Sequence, residues 1–153
     1  MTKTTNTLAA IAISVLFFTA TTASAGGSRF AHVAAFAGAT NSGSSTHLTL
    51  GAELEIKPPA LLGFIGIETI GERIFSAPAV HVAGIGLAVH PLLGFKFRAI
   101  PGLLLAGSSH FLMRVGAGYD FSFTPLIITP SFNLDFVNGQ TLKVFGVSVG
   151  VGI

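Results

Sequence analysis

The chain has 153 residues, of which 50% are hydrophobic and only 9% are charged, whereas about a quarter of the residues of an ordinary soluble domain are charged. Its 8 Lys and Arg residues and 6 Asp and Glu residues give a formal net charge of +2. These charges are too few to cover a surface exposed to water. Nucleic-acid binding, which needs a basic patch, has no support.

The amino terminus has the layout of a secretory signal peptide. Lys3 precedes an apolar run, residues 8–20, which is followed by the small-residue triplet Ala23-Ser24-Ala25. An uncleaved membrane anchor is the alternative, but the apolar run is shorter than the ~20 residues that a spanning helix needs. We expect cleavage after Ala25, so that residues 1–25 are a signal peptide and residues 26–153 form one exported domain.

The exported part has no segment that could cross a membrane as a helix. Its best candidate, residues 82–89, lies between His81 and the His90-Pro91 pair and is far too short. In lipid, only helices and closed barrels satisfy every hydrogen-bonding group of the backbone. A charge-poor exported chain without a spanning helix therefore predicts a membrane β-barrel.

Turn signals divide the exported part into eight extended segments, and several have the ~9–11 residues of a tilted transmembrane strand. The pattern is least regular in the first, third and fourth segments, and Gly84 and Gly86 indicate a bulge or register slip in the fourth. The predicted fold is all-β: an eight-stranded antiparallel up-and-down transmembrane β-barrel. The segments are residues 28–37, 47–57, 61–70, 79–90, 94–100, 110–120, 125–137 and 140–153.

The predicted connections alternate between long and tight. The first, third and fifth are long, and the second, fourth and sixth are short. The seventh, Asn138-Gly139, is a two-residue type I′ hairpin signal. With both termini in the periplasm, the longer loops would lie outside the cell, as in outer-membrane barrels.

Side chains alternate between an apolar and a polar or bare face in the clearest segments. In the last one, Gly146, Ser148, Gly150 and Gly152 suit a narrow interior but could not cover a surface in water. We therefore expect the apolar faces to contact lipid and the polar faces to line the lumen. The apolar positions are Leu48, Leu50, Ala52, Leu54 and Ile56; Phe111, Met113, Val115, Ala117, Tyr119 and Phe121; Leu126, Ile128, Pro130, Phe132, Leu134 and Phe136; and Phe145, Val147, Val149, Val151 and Ile153.

The charged side chains on the polar faces predict a network inside the lumen. An eight-stranded barrel is just wide enough to be filled by side chains, and isolated buried charges are costly, so these groups must pair. A network that plugs the barrel is favoured over a gated pathway for small solutes. The predicted network comprises Glu53, Glu55, Lys57, Glu68, Lys96, Arg98, Arg114, Asp120, Asn133 and Asp135.

Three stretches give the chain a family resemblance: residues 47–56 (HLTLGAELEI), 112–121 (LMRVGAGYDF) and 128–153. With them, the exported part resembles the small outer-membrane β-barrel proteins of Gram-negative bacteria, the opacity-protein-like superfamily. The resemblance implies the fold, the outer-membrane location, contact with outer-membrane lipid and assembly by the barrel-assembly machinery. It implies no reaction. Members often end in Phe, a position that Ile153 occupies here.

Catalytic and metal-binding motifs are weak in this sequence. The histidines have no metal-ligand spacing, so we predict no metal site and no cofactor. His110 follows Ser108-Ser109, which is the pairing that a lipid-modifying hydrolase would need. Ser109 and His110 point to opposite faces of a strand, and Ser108 shares a face with His110 only if the strand already includes Ser108.

The sequence therefore predicts a non-enzymatic barrel of the cell envelope, either structural or presenting its loops at the surface, with a polar and largely plugged lumen. A porin-like pore for small solutes is the first alternative, and a lipid-modifying outer-membrane enzyme is the second. The sequence identifies no surface partner.

Overall fold

The computed structural model describes residues 24–25, 30–59, 64–92 and 94–153. The predicted signal peptide lies outside these residues except for Ser24 and Ala25, which form a short strand paired with Phe121 and Ser122. Among the described residues, no helix is long and apolar enough to cross a membrane.

Eight long strands make up the described structure, and a short one, Phe121–Phe123, follows the sixth. Each long strand is antiparallel to the strand before it and to the strand after it along the chain. The strands are β1 Ala31–Asn41, β2 Thr46–Ile56, β3 Ile65–Ile74, β4 Val80–Val89, β5 Phe95–Ala106, β6 Ser108–Tyr119, β7 Leu126–Val137 and β8 Gln140–Gly152.

The last strand closes the sheet on the first. β8 pairs with β1 from Lys143 opposite Asn41 to Gly152 opposite His32. Beyond this ladder, the backbone N–H of Ile153 donates to the Ala31 carbonyl at 2.8 Å and its carbonyl accepts from the Ala31 N–H at 3.0 Å. The sheet therefore has no free edge, and the predicted eight-stranded antiparallel transmembrane barrel is confirmed as the fold.

Two predicted strands lie several residues further along the chain than expected. β1 ends at Asn41 and β3 at Ile74, whereas the sequence predicted ends at residues 37 and 70. Gly71, Glu72 and Arg73 were expected in a loop, but they continue the alternation of β3: Gly71 and Arg73 are exposed outside and Glu72 is buried inside. Pairing with both neighbouring strands outweighs the local turn signal.

The fifth strand is longer than predicted because it runs through Pro101. The ladder between β4 and β5 is interrupted only where Ile85 lies opposite Pro101 and Gly86 lies opposite Ile100. The register is the same on both sides of this interruption. Pro101 has no N–H to give to the ladder, which accounts for the interruption. The bulge or register slip expected near Gly84 and Gly86 is therefore not found.

The predicted alternation of long and short connections is also wrong. At the end of the barrel away from the termini, which we call the hairpin end, the connections are residues 42–45, 75–79, 107 and 138–139. At the terminal end they are residues 57–64, 90–94 and 120–125. Strands β1, β3 and β5 absorb the residues that had been assigned to long loops. Asn138 and Gly139 have φ values of 49° and 73°, which confirms the type I′ turn.

The exterior is apolar, and its two described charged side chains, those of Arg73 and Lys143, lie near the hairpin end. Exposed phenylalanine side chains lie at both ends of this surface, Phe75 and Phe111 near the hairpin end and Phe30 near the terminal end, and Phe132 lies between them. Tyr119 is in an edge-to-face contact with Phe95 at 5.1 Å and a tilted contact with Phe121 at 4.7 Å. The alternation predicted for β2, β6, β7 and β8 places the apolar faces outside, as expected.

Candidate functional site

The barrel interior holds an ion-paired network, and its centre is Arg114 on β6. Arg114 is fully buried between Glu72 of β3 and Asp135 of β7. Its Nε and Nη2 donate to the two Asp135 oxygens at 2.6 and 2.8 Å. Its Nη1 and Nη2 donate to the two Glu72 oxygens, the latter at 2.7 Å. One planar guanidinium thus binds two carboxylates in a bidentate manner, a geometry that lysine cannot reproduce.

A second ion pair lies next to this one along the barrel axis. Arg98 on β5 donates to Glu53 on β2 at 2.8 Å, and the second Glu53 oxygen accepts from the Ser148 hydroxyl at 2.8 Å. Arg98 also lies 3.5 Å from Glu68. These side chains cross the lumen, because β2 and β5 are not neighbours in the sheet.

A third cluster fills the lumen towards the terminal end. Lys96 lies 2.8 Å from Glu68 and 3.0 Å from Glu55. The His90 ring lies between two carboxylates, with Nε2 2.6 Å from Glu55 and Nδ1 3.5 Å from Asp120. A protonated imidazole has an N–H on each nitrogen and can donate to both. The other Asp120 oxygen accepts from the Thr129 hydroxyl at 2.7 Å.

Interior glycines make room for these side chains. A Cβ at Gly66 would collide with the carboxylate of Glu55, and a Cβ at Gly51 would lie 2.6 Å from Glu72 Cγ. Any larger residue at these positions would displace a charged group from its partner. The glycines that the sequence places on the polar faces therefore serve the packing of the lumen.

Towards the hairpin end the lumen is filled mainly by apolar side chains, beside the buried pair Thr40 and Thr49, whose hydroxyls are 2.7 Å apart; the sequence analysis did not predict this apolar part. This group, which we call the apolar plug, extends from the strand ends at the hairpin end to Ile70 and Ile100 in the middle of their strands, and Ile100 lies opposite Arg114. The buried charged side chains lie in the middle and towards the terminal end of the barrel. The plug comprises Ile70, Ile74, Val82, Ile100, Leu104, Leu112, Val137 and Leu142.

The structure brings nine of the ten predicted lumen residues into ionic or hydrogen-bonded contact. Eight of them are buried: Glu53, Glu55, Glu68, Lys96, Arg98, Arg114, Asp120 and Asp135. Lys57 is half-buried at the terminal mouth, 3.8 Å from Glu55. Asn133 is fully buried, but its amide has no hydrogen-bond partner among the described residues, so it lies outside the network.

Four contributors to the network were missing from the sequence-based set: Glu72, His90, Thr129 and Ser148. Glu72 shares its face with Glu68 and could have been found by extending β3. Ser148 had already been placed on an interior face, but its hydrogen bond to Glu53 was not predicted. His90 is the last residue of the fourth predicted segment, and no periodicity indicates that its ring lies between the Glu55 and Asp120 carboxylates.

The interior carries an excess of negative charge. All 6 Asp and Glu residues of the chain lie inside, against Lys96, Arg98 and Arg114 with Lys57 at the mouth. Six negative and four positive groups leave two negative charges when the histidines are neutral. In the described part of the chain, no three His, Asp or Glu side chains are grouped as metal ligands.

Comparisons with known proteins establish the fold but no closer relationship. No family model and no curated protein matches the sequence. The N-terminal β-barrel domain of Pseudomonas aeruginosa OprF is similar in structure, with a TM-score of 0.57, 11% identity, and coverage of 80% of this chain and 97% of that one.

Two further solved structures agree. Neisserial surface protein A has a TM-score of 0.56, 10% identity, and coverage of 83% of this chain and 98% of that one. Ail, the attachment invasion locus protein of Yersinia pestis, has a TM-score of 0.54, 9% identity, and coverage of 80% and 96%. The chain therefore has the fold of the small outer-membrane β-barrels, in agreement with the resemblance seen in its sequence.

Proposed function

We propose that the chain is a structural barrel of the Gram-negative outer membrane, with a sealed lumen that neither conducts solutes nor holds a reaction site. The location is supported by the fold, by the apolar exterior and by the export signal read from the sequence. We expect the barrel-assembly machinery to insert the chain into the membrane.

The observation that carries this proposal is the filling of the lumen by two layers of different chemistry. The ion-paired network occupies the middle and the terminal end, and the apolar plug occupies the hairpin end. An ion that entered past Glu55 would have to separate buried ion pairs and then cross the plug without water. Both steps are costly.

The short connections at the hairpin end favour a structural role over surface presentation. A single residue, Gly107, joins β5 to β6, and the Asn138-Gly139 turn joins β7 to β8. Binding loops of membrane barrels extend well beyond the strands, whereas here the hairpins end at the rim. A partner protein would find little more than the rim itself to contact.

A solute pore is the first alternative, and conductance across a planar lipid bilayer separates it from the sealed barrel. We expect the reconstituted protein to give no current steps above those of a protein-free bilayer. A general porin inserted from the same detergent serves as the positive control. Steady steps from the folded protein would refute the sealed lumen, and the two excess negative charges predict that such a pore would prefer cations.

The second alternative, a lipid-modifying enzyme, has no hydrogen-bonded serine–histidine pair to use among the buried side chains that the structure describes.

A further inference from the structure

The exterior of the barrel carries two basic side chains next to each other, close to the hairpin end. Arg73 is the second-last residue of β3, His81 is the second residue of β4, and the two lie directly opposite each other in the ladder. Both side chains are exposed on the outer face. Directly opposed residues of an antiparallel pair have Cβ atoms about 4.5–5.5 Å apart, so one small group can contact both side chains.

The chain provides no anionic side chain for this pair. All 6 Asp and Glu residues are buried inside the barrel. In the part of the chain that the structure describes, neither Arg73 nor His81 makes a side-chain hydrogen bond or an ion pair. A charged group at the edge of a hydrocarbon layer is costly unless it is paired or reaches the polar boundary. An anionic partner at this end of the barrel can therefore come only from outside the chain.

The ring of Phe75 directs the Arg73 side chain towards the rim. The guanidinium carbon of Arg73 lies 5.1 Å from the centre of this ring, and Phe75 is the first residue after β3. A guanidinium that lies over a ring keeps its N–H groups free to donate, and its fork matches the oxygens of a phosphate. The imidazole of His81 has at least one N–H to add, whether it is neutral or protonated.

A shallow depression lies next to these two side chains, on the side towards the terminal end. Three small residues, Ala52, Gly71 and Ala83, face outwards in one row across β2, β3 and β4. A Cβ at Gly71 would meet nothing within 4 Å. Leu50 and Leu103, which are 42% and 48% exposed, flank the row. A hydrocarbon chain can lie in this depression while its polar end reaches Arg73.

We propose that Arg73 and His81 bind the phosphate of an anionic membrane lipid, with an acyl chain of that lipid in the depression. The basic pair accounts for the phosphate, and the depression accounts for a lipid rather than a soluble anion. The inference rests on the membrane location proposed above, but it does not rest on the sealed lumen.

Lys143 provides a matched control on the same exterior. It is exposed near the hairpin end, but it lies on β8, where its partners in the two ladders are Asn41 and Leu134. Strands β1 and β2 separate it from β3, a distance of roughly 14 Å around the sheet. Replacement of Lys143 therefore removes one positive charge from this end of the barrel without changing the proposed site.

The test uses the folded mature protein in non-ionic detergent micelles, with dioleoylphosphatidic acid as the probe and native mass spectrometry as the readout. We expect one tightly bound lipid, and an affinity about 10-fold or more lower in Arg73→Gln, because charge-assisted hydrogen bonds to the phosphate are lost. Lys143→Gln should keep the affinity of the wild type. No binding to the wild type, or equal losses in the two variants, would overturn the proposal.

Failure of this site can be told apart from failure of the membrane barrel. Heat-modifiable gel mobility, measured before the lipid is added, shows whether each variant is folded in the micelle. A folded barrel that binds no phosphatidic acid would count against the lipid site alone. A chain that is a soluble monomer without detergent would count against the membrane location on which the site depends.

Two further variants separate the parts of the site. Arg73→Lys keeps the charge but loses the fork, so its affinity should lie between those of the wild type and Arg73→Gln. Gly71→Val fills the depression and should weaken binding of the lipid while the barrel stays folded. Wild-type affinity in Arg73→Lys would contradict bidentate recognition, and wild-type affinity in Gly71→Val would contradict the position of the acyl chain.

Two competitors separate a lipid from its components. Dioleoylglycerol has the acyl chains without the phosphate, and glycerol phosphate has the phosphate without the chains. We expect neither to displace phosphatidic acid at equal concentration. Displacement by dioleoylglycerol would contradict recognition of the phosphate, and displacement by glycerol phosphate would contradict a lipid as the occupant.

Discussion

At the residue scale, the buried arginine at the centre of the lumen shows how charges can be retained inside a membrane barrel. Arg114 satisfies two carboxylates at once, from strands on opposite sides of the lumen. A buried ion pair adds little stability compared with well-packed apolar side chains, but removal of one partner leaves an uncompensated charge. The network should therefore tolerate conservative changes poorly.

Replacement of Arg114 by Met tests this directly. We expect Arg114→Met to lower the free energy of unfolding by about 3–5 kcal/mol, because Glu72 and Asp135 would remain as adjacent buried carboxylates. Urea unfolding in lipid vesicles measures the change. The control is Arg73→Met on the exterior, where Arg73 lies 5.1 Å from the centre of the Phe75 ring. Equal effects of the two variants would contradict a central role for Arg114.

Gly66 supplies a steric test of the lumen. We expect Gly66→Val to destabilise the barrel by about 1–3 kcal/mol, because its side chain would meet the Glu55 carboxylate. Gly71→Val is the matched control in the same strand, since a Cβ at Gly71 meets nothing within 4 Å. Both variants are measured in the same unfolding assay. A larger loss of unfolding free energy in Gly71→Val than in Gly66→Val would show that the assigned faces of β3 are reversed.

Residue chemistry explains which parts of the network the sequence could reveal. Glu53 and Glu55 lie on β2, where apolar and polar side chains alternate without interruption. The two-residue period of a strand is therefore enough to predict that both side chains point into the lumen. His90 lies in a turn, where no period applies, and its contact with Glu55 joins residues far apart in the chain. Such contacts depend on how the strands are registered around the barrel.

At the element scale, strands with complete alternation were predicted well and strands with mixed composition were not. β2, β6, β7 and β8 have apolar residues at nearly every second position. β1 is rich in alanine, which suits either face and gives no signal for where the strand ends. In β3 and β5, Gly71 and Pro101 resemble turn residues. Pairing with both neighbouring strands keeps Gly71 in the sheet, and pairing with Met113 of β6 keeps Pro101 there.

The exterior of β2 provides a test of which medium surrounds the strand. Leu50 lies near the middle of β2 and is 42% exposed. If lipid surrounds it, Leu50→Arg should lower the free energy of unfolding by about 2–4 kcal/mol. Leu48→Arg, nearer the hairpin end, should lower it by about 0–1 kcal/mol. Unfolding in vesicles measures both. Two small and equal changes would indicate that water, rather than lipid, covers this face.

At the scale of the whole molecule, closure of the barrel accounts for the composition of the chain. All backbone groups of the eight strands can pair within a sheet that has no edge, so the exterior needs no charge. Most of the charged side chains lie inside the barrel, to which β8 contributes Leu142 and Val144 near the hairpin end and glycine and Ser148 further along. The sequence therefore predicts the class of fold well, whereas the division of the lumen into an ionic and an apolar part depends on register.

The most direct test of the account is the behaviour of the expressed protein in cell fractions and on gels. We expect the protein in the outer-membrane fraction, extracted only with detergent, with a mobility in dodecyl sulfate gels that changes on boiling as the barrel unfolds. A protein that is a soluble monomer without detergent, with one mobility before and after boiling, would contradict the membrane barrel.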